Sequence, residues 1–387
     1  MLLFNFYIFT FLLNFTFTFA AFIPIGRVFH SSVFINNKLY FSGGYNDSFG
    51  SINEFFYLDV SKPFTTTNND SIPWNDITYT GGPLKDSATA CISGKNNDTL
   101  FIFGGIPIIQ SFVNQFVTSK QQWINITSVG NVPTNRYGIS CANFGNGLIA
   151  IFSGMPSTIT NDLWIFNTLT LTWSLSNATN APSAMYGYCP VTLPDGNILY
   201  IGGYSFNLTV YTSMSNLPLY NTKFDTWTNM NVFGPFPSPR YYSSAVLTPD
   251  GRIIIFGGLS YGKTLGDLWI LNTTEFQWSM GFISNPKVYL TLFGHTATLV
   301  DNYMFVSFGS FQNENYSSKI FMLDVSRKDS YKWVTEFGAN TKANMTTTTT
   351  TDTLTTTDTL TTNFLVGVIV GVLNLIHIPN LQIYSIF

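Results

Sequence analysis

The chain has 387 residues, 45% hydrophobic and 17% aromatic with 37 phenylalanines, which is ample apolar volume for a large packed core and too much for a disordered chain. Only 10% of residues are charged, the net charge is −3, and no basic run occurs. That excludes a nucleic-acid-binding protein, whose Lys/Arg footprint is clustered.

Met1 to Phe19 is almost wholly apolar and uncharged, and Thr18-Phe19-Ala20 offers small residues where signal peptidase requires them. Residues 1–21 therefore read as a secretory signal peptide cut near Ala20 or Ala21. The basic leader of such segments is missing, so an uncleaved anchor or an N-terminal strand is the alternative.

From residue 22 to 340 the chain repeats itself. Gly43-Gly44, Gly104-Gly105, Ser153-Gly154, Gly202-Gly203, Gly257-Gly258 and Phe308-Gly309 are each followed by a tryptophan, namely Trp74, Trp123, Trp173, Trp227, Trp278 and Trp333, spaced 49 to 55 residues apart. A period near fifty is that of a propeller blade. The fifth cycle is the clearest: Arg240 to Leu247, a Pro249-Asp250-Gly251 turn, Arg252 to Phe256 ending in the glycine pair, Asp267 to Asn272, then Trp278. Those are four short strands of β-branched and aromatic residues, and no helix is signalled. The prediction is an all-β, six-bladed propeller with blades at 22–80, 81–131, 132–180, 181–231, 232–284 and 285–338, since a lone blade cannot bury both its faces.

Beyond it, residues 341–363 are threonine-rich, with Thr-Asp-Thr-Leu-Thr-Thr at 351 and again at 357. This reads as an extended, O-glycosylated stalk. Residues 364–387 open on the apolar run Phe364 to Leu373, but Asn374, His377, Pro379, Asn380 and Gln382 interrupt the remainder of the segment. A transmembrane span, a lipid-anchor signal that is removed, and an apolar tail on a secreted protein all remain open. Asn-x-Ser/Thr sequons at Asn46, Asn69, Asn97, Asn125, Asn177, Asn207, Asn272, Asn315 and Asn344 fit a secreted, glycosylated surface. The expected location is the cell surface with the propeller outside, or secreted or lipid-anchored.

The glycine pairs, the trailing tryptophans and the lead-ins Pro133 to Arg136, Pro237 to Arg240 and Arg27 to His30 resemble the kelch-repeat family of propellers, over roughly Arg27 to Phe337. Blade two keeps only Gln115-Phe116-Val117 of the third-strand signature, and blade four Leu219-Tyr220-Asn221. The resemblance implies a ligand held at the end of the ring that bears the second-to-third-strand loops, with lead-in arginines and residues near the glycine pairs pointing to the central pocket. Here those are Arg27, Arg136, Arg240, Tyr45, Tyr204 and Tyr261, of types that anchor interfaces. The alternative role for each arginine is to staple neighbouring blades through carbonyl bonds.

Catalytic chemistry is harder to find. Galactose oxidase is similar in its propeller, and its copper site resembles two tyrosines, one linked to cysteine, plus two histidines. Here only His30 and His295 lie in the repeats, both at lead-in positions that suit hydrogen-bonded packing. Asp162 and Asp267 share one repeat position and read as blade-internal bonding groups. Cys91, Cys141 and Cys189 lie in first strands and read as small buried residues, with a Cys141 to Cys189 bridge as the alternative. No zinc spacing, serine elbow or phosphate loop occurs. The expectation is a binding module with no catalytic residue, metal or cofactor, whose partner is a protein or a glycan; a secreted oxidoreductase of galactose-oxidase type is the alternative.

Overall fold

The computed structural model describes residues 21–338 apart from 69–70, 95–96, 127–129, 156–159, 288–289 and 313–315. The signal segment, the stalk, the apolar tail and sequons Asn69, Asn315 and Asn344 lie outside the described residues, among which no helix is long and apolar enough to cross a membrane.

Six four-stranded antiparallel sheets follow one another along the chain. Blade one is Ser31–Ile35, Lys38–Ser42, Phe55–Asp59 and Trp74–Asp76, and blade two is Asp86–Ser93, Thr99–Ile106, Val113–Val117 and Gln122–Asn125. Blade three is Cys141–Asn143, Leu148–Phe152, Leu163–Asn167 and Thr172–Leu175, and blade four is Cys189–Thr192, Ile198–Ile201, Asn216–Asn221 and Thr226–Asn231. Blade five is Ser244–Leu247, Arg252–Phe256, Leu268–Asn272 and Gln277–Met280, and blade six is Thr296–Val300, Tyr303–Ser307, Ile320–Asp324 and Lys332–Val334. The third strands of blades two and four, weakest in the sequence, both form.

Burial explains the residue choice in each strand. Second strands are covered on both faces by neighbouring blades, so Arg252–Phe256 is buried at every position. First strands alternate, as in Ser31–Ile35, because one face meets the axial channel. Fourth strands are nearly all exposed except for their tryptophan, as in Thr226–Asn231.

That tryptophan packs back onto the preceding blade. Trp123 meets Phe55 at 4.9 Å, Trp173 meets Phe103 at 5.8 Å, Trp227 meets Phe152 at 5.0 Å and Trp333 meets Phe256 at 5.5 Å between ring centroids. The Trp278 indole N–H donates to the Met214 carbonyl at 2.8 Å, and Trp74 meets Phe308 at 6.0 Å, joining blade one to blade six.

The glycine pairs perform the second join. The first member takes a left-handed backbone, with φ of 66° to 67° at Gly43, Gly104, Gly202 and Gly257, and of 49° and 58° where Ser153 and Phe308 replace glycine. This turn aims the next N–H at the following blade. Gly44, Gly105, Gly154, Gly203 and Gly258 donate to the carbonyls of Lys85, Arg136, Met185, Arg240 and Leu292, and Gly309 closes the circle onto Arg27 at 2.8 Å.

A third set of bonds encircles the axis. Ser87 N–H donates to Phe29, Gly138 to Ser87, Gly187 to Gly138, Tyr242 to Gly187, Gly294 to Tyr242 and Phe29 to Gly294, at 2.7–3.0 Å. All six residues have φ between 54° and 66°. The Phe29 and Tyr242 rings lie 4.6 Å apart over this circle. Side chains are missing where those rings pass: a Cβ on Gly187 would sit 3.1 Å from the Tyr242 ring, and one on Gly294 would sit 2.8 Å from that of Phe29.

Among the described residues no blade mixes strands from the two ends of the chain. Closure is completed by a small ribbon in which Phe64–Thr65, from the long third-to-fourth-strand loop of blade one, pairs with Glu336–Phe337. The cysteines depart from expectation: Cys91 bridges to Cys141, with 6.3 Å between their Cα atoms, joining the first strands of blades two and three. Cys189 is free and buried, its thiol donating to the Ser243 carbonyl at 3.1 Å, so the Cys141 to Cys189 alternative is not the arrangement found.

Candidate functional site

The three lead-in arginines are the first correction. Arg27, Arg136 and Arg240 are 0%, 1% and 0% exposed. Each donates to the carbonyl two residues before it, to the carbonyl of the first residue of its glycine pair, and to an acid on the same blade: Arg27 to Ile25, Gly43 and Glu54; Arg136 to Thr134, Ser153 and Asp162; Arg240 to Ser238, Gly257 and Asp267. A guanidinium so bonded and so fully covered cannot be reached by a partner; these residues are staples within their blades. Burial pushes the Asp162 and Asp267 carboxyls up, but bonds from Arg136 and Arg240 outweigh it and hold both below the ordinary carboxylate value. Each also accepts from a tryptophan two residues on, Trp164 at 2.6 Å and Trp269 at 2.7 Å.

The staple is present or absent as a unit. At the arginine position blade four has Met185, and blade six has Leu292 with Lys319 at the acid position. Blade two has Lys85 and Phe112; the buried ammonium donates to the Ser111 carbonyl, and burial pushes its pKa down to about 8. No arginine stays at this position without its carboxylate, because an unpaired buried charge is costly.

His30 and His295 join neighbouring blades, through Thr296 at 2.8 Å and Ser244 at 2.7 Å. Burial lowers both pKa values, that of His295 to about 3, so both rings are neutral near pH 7.

The tyrosines behave differently. Tyr261 is 73% exposed on the Leu259–Ser260/Lys263–Thr264 hairpin of blade five. Its ring lies 4.7 Å from that of Tyr211, whose hydroxyl accepts the Tyr261 backbone N–H at 2.8 Å. Tyr211 in turn lies 5.1 Å from Tyr204, its partner in the blade-four hairpin Tyr204–Ser205/Val210–Tyr211. The structure thus brings Tyr204 and Tyr261 to one place. Tyr45 sits elsewhere, on the blade-one hairpin, 6.4 Å from Tyr316.

Four residues absent from the expected set complete the site. Tyr241 packs on Tyr204 at 5.6 Å and Tyr186 on Tyr241 at 5.8 Å, while Tyr242 meets Tyr241 at 4.9 Å and links the group to Phe29 at the axis; Tyr211 is the fourth. Their signal was available, since Tyr186 and Tyr241 follow the lead-in position directly. The result is a continuous aromatic band from axis to rim, at the end carrying the second-to-third-strand hairpins, flanked by exposed Phe206 and Leu208. Burial raises the pKa of Tyr186 to about 12 and lifts those of Tyr241 and Tyr242, so these phenols hold their protons as donors.

Among the sequons, Asn97, Asn177 and Asn207 are exposed. Asn46 donates its amide to the Gly26 carbonyl at 2.8 Å, and Asn272 accepts from the Thr274 and Glu275 backbones. The Asn125 side chain is outside the described part of its strand.

Comparison with known proteins sets this geometry in context. Residues 29–232 match a family model described as the KLHDC2/KLHL20/DRC7 Kelch-repeats domain, and residues 198–360 match an Attractin/LZTR1 beta-propeller model. The chain is 27% identical over 262 residues to Kelch domain-containing protein 3 of Bos taurus, covering 62% of this chain and 63% of that one. It is 28% identical over 277 residues to Kelch domain-containing protein 10 of Xenopus laevis, covering 66% and 65%. It is also 28% identical over 215 residues to Tip elongation aberrant protein 1 of Schizosaccharomyces pombe, covering 51% of this chain and 18% of that protein. The chain thus spans less than two thirds of each relative's length. The solved structure of YjhT superposes with a TM-score of 0.62 at 14% identity, over 81% of this chain and 98% of the other, which shows a common fold.

Proposed function

The chain belongs to the kelch-repeat family of β-propellers, and on that premise we propose that it is a non-enzymatic recognition module whose tyrosine-bearing face holds a protein partner outside the cell. The observation that carries the reading is the aromatic band itself. The other recurrent features are consumed in structure, the arginine staple inside its own blade and the histidine bridge and tryptophan between blades, whereas Tyr261 is exposed, Tyr186, Tyr204 and Tyr241 are half-buried, and among the described residues the hydroxyls of these four make no hydrogen bond to the protein. Tyrosine is an interface anchor because it combines a rigid apolar body with a polar tip. Loops on a rigid scaffold are where binding residues concentrate.

The extracellular part of the proposal is supported by the Cys91–Cys141 bridge, which suits an oxidising compartment, and by the exposed sequons Asn97, Asn177 and Asn207. Membrane attachment through 364–387 belongs to the same proposal and rests on sequence.

A photo-crosslinking residue placed at Tyr261, on this face, or at Phe224, in the third-to-fourth-strand turn at the opposite end, tests the reading in cells that make the protein. The expected result is a discrete protein adduct from position 261 and none from position 224. An adduct from position 224 alone, or none from either, overturns it.

A further inference from the structure

The path of the band is specific enough to say what kind of segment it fits. Along Tyr242, Tyr241, Tyr204, Tyr211 and Tyr261, ring centroids are 4.9, 5.6, 5.1 and 4.7 Å apart. The contour is at most about 20 Å, the length of about six or seven residues in polyproline II conformation at its ~3.1 Å rise. The groups that act on the Tyr186, Tyr241 and Tyr242 phenols are one another, Tyr137, Tyr204 and Tyr211, with Asp86 the one formal charge among them. That carboxylate is buried and accepts from Ser51 and Ser87. Among the described residues the hydroxyls of Tyr186, Tyr204, Tyr241 and Tyr261 make no hydrogen bond to the protein.

From these facts we infer that the band binds an uncharged, proline-rich extended segment. The inference rests on the proposed function and names the partner chemistry at the same face. Polyproline II chains carry no internal hydrogen bonds and, at proline, no N–H; they present apolar ring faces and unpaired carbonyl acceptors. The band presents the complement: aromatic rings at successive steps, tilted or edge-on to one another, and protonated phenols able to donate. Arg136 and Arg240 are spent inside their blades and offer no guanidinium to an acidic segment, and the exposed Lys263 ammonium stands only at the rim end, on the Tyr261 hairpin. A preformed extended segment also loses little chain entropy on docking, so aromatic-lined grooves suit it.

The test uses the full-length protein and three probes: decaproline, a ten-residue glycine-serine peptide, and a neutral maltose-series oligosaccharide of about seven sugar units. Decaproline is expected to bind saturably and the other two are not. Tyr204→Ala is expected to weaken decaproline binding by about tenfold, and Tyr204→Phe, which keeps the ring and loses one donor, by about threefold. Tyr45→Ala, away from the band, leaves binding unchanged. Absent decaproline binding, equal binding of the glycine-serine peptide, or binding of the oligosaccharide instead overturns the inference, as does decaproline binding insensitive to both Tyr204 variants. Failure here combined with a Tyr261 crosslink to a protein refutes the proline chemistry and leaves the recognition face standing; loss of the crosslink refutes the face itself.

Discussion

At the scale of single residues, the lead-in arginine shows what a sequence does and does not reveal. Its position was legible, and so was the shared position of Asp162 and Asp267, which the structure shows bonding within their own blades to Arg136 and Arg240. Its direction was not, because a pattern of residue types cannot say whether a guanidinium faces solvent or folds back onto carbonyls. Blade four shows that an apolar residue suffices at the arginine position, where Met185 is buried. Arg136→Met alone leaves the half-buried Asp162 carboxylate without its cation and should cost about 3–5 kcal/mol. Adding Asp162→Met is expected to restore at least about half of that loss, since a buried ion pair replaced by apolar groups is often near neutral. Urea denaturation of the two variants and of the parent checks it; a double variant no more stable than the single one contradicts the view that the pair is one unit.

At the scale of the blade, the strands and the turns were readable because β-branched and aromatic runs, glycine pairs and tryptophans all mark the same boundaries. Ser153 and Phe308 hold φ of 49° and 58° without being glycine, so the two weakened pairs still keep the turn. Cysteine pairing was not readable: Cys91, Cys141 and Cys189 stand in equivalent first strands, and nothing in their spacing says which neighbours meet. Blade-to-blade contacts through His30 and His295 carry a pH consequence. Both folded-state values are lowered, so the unfolded chain takes up protons first, near its ordinary value of about 6.5. Their contribution is present in full above that pH and is lost progressively as pH falls toward about 3, the folded value of His295. Melting temperature should therefore fall between pH 7 and pH 5, before most carboxylates titrate, and the His30→Gln/His295→Gln variant should show a flatter dependence across that interval. An equally steep fall in the variant contradicts the assignment.

At the scale of the whole molecule, six cycles fixed the number of blades but left the closing of the ring open. Blades one and six pack through an apolar cluster like the other joins, and what is particular to closure, the ribbon of two-residue strands and the backbone bonds Gly309 to Arg27 and Phe29 to Gly294, leaves no hydrophobic pattern. The proposed recognition face was half legible for a related reason. Tyr204 and Tyr261 belong to it, but its other members become neighbours only when blades four and five stand side by side. The central claim is this division of labour, with arginines bracing single blades, tryptophans joining neighbouring blades and tyrosines meeting the partner. It is tested most directly by measuring, on the same preparations of Tyr204→Ala and Arg136→Ala, both melting temperature and affinity for the protein captured at Tyr261. The account predicts that Tyr204→Ala loses about tenfold or more in affinity with little change in melting, while Arg136→Ala lowers the melting temperature and leaves the affinity of the folded protein within about threefold. Loss of affinity in the folded Arg136→Ala protein with unchanged melting, or unchanged affinity in Tyr204→Ala, would contradict it.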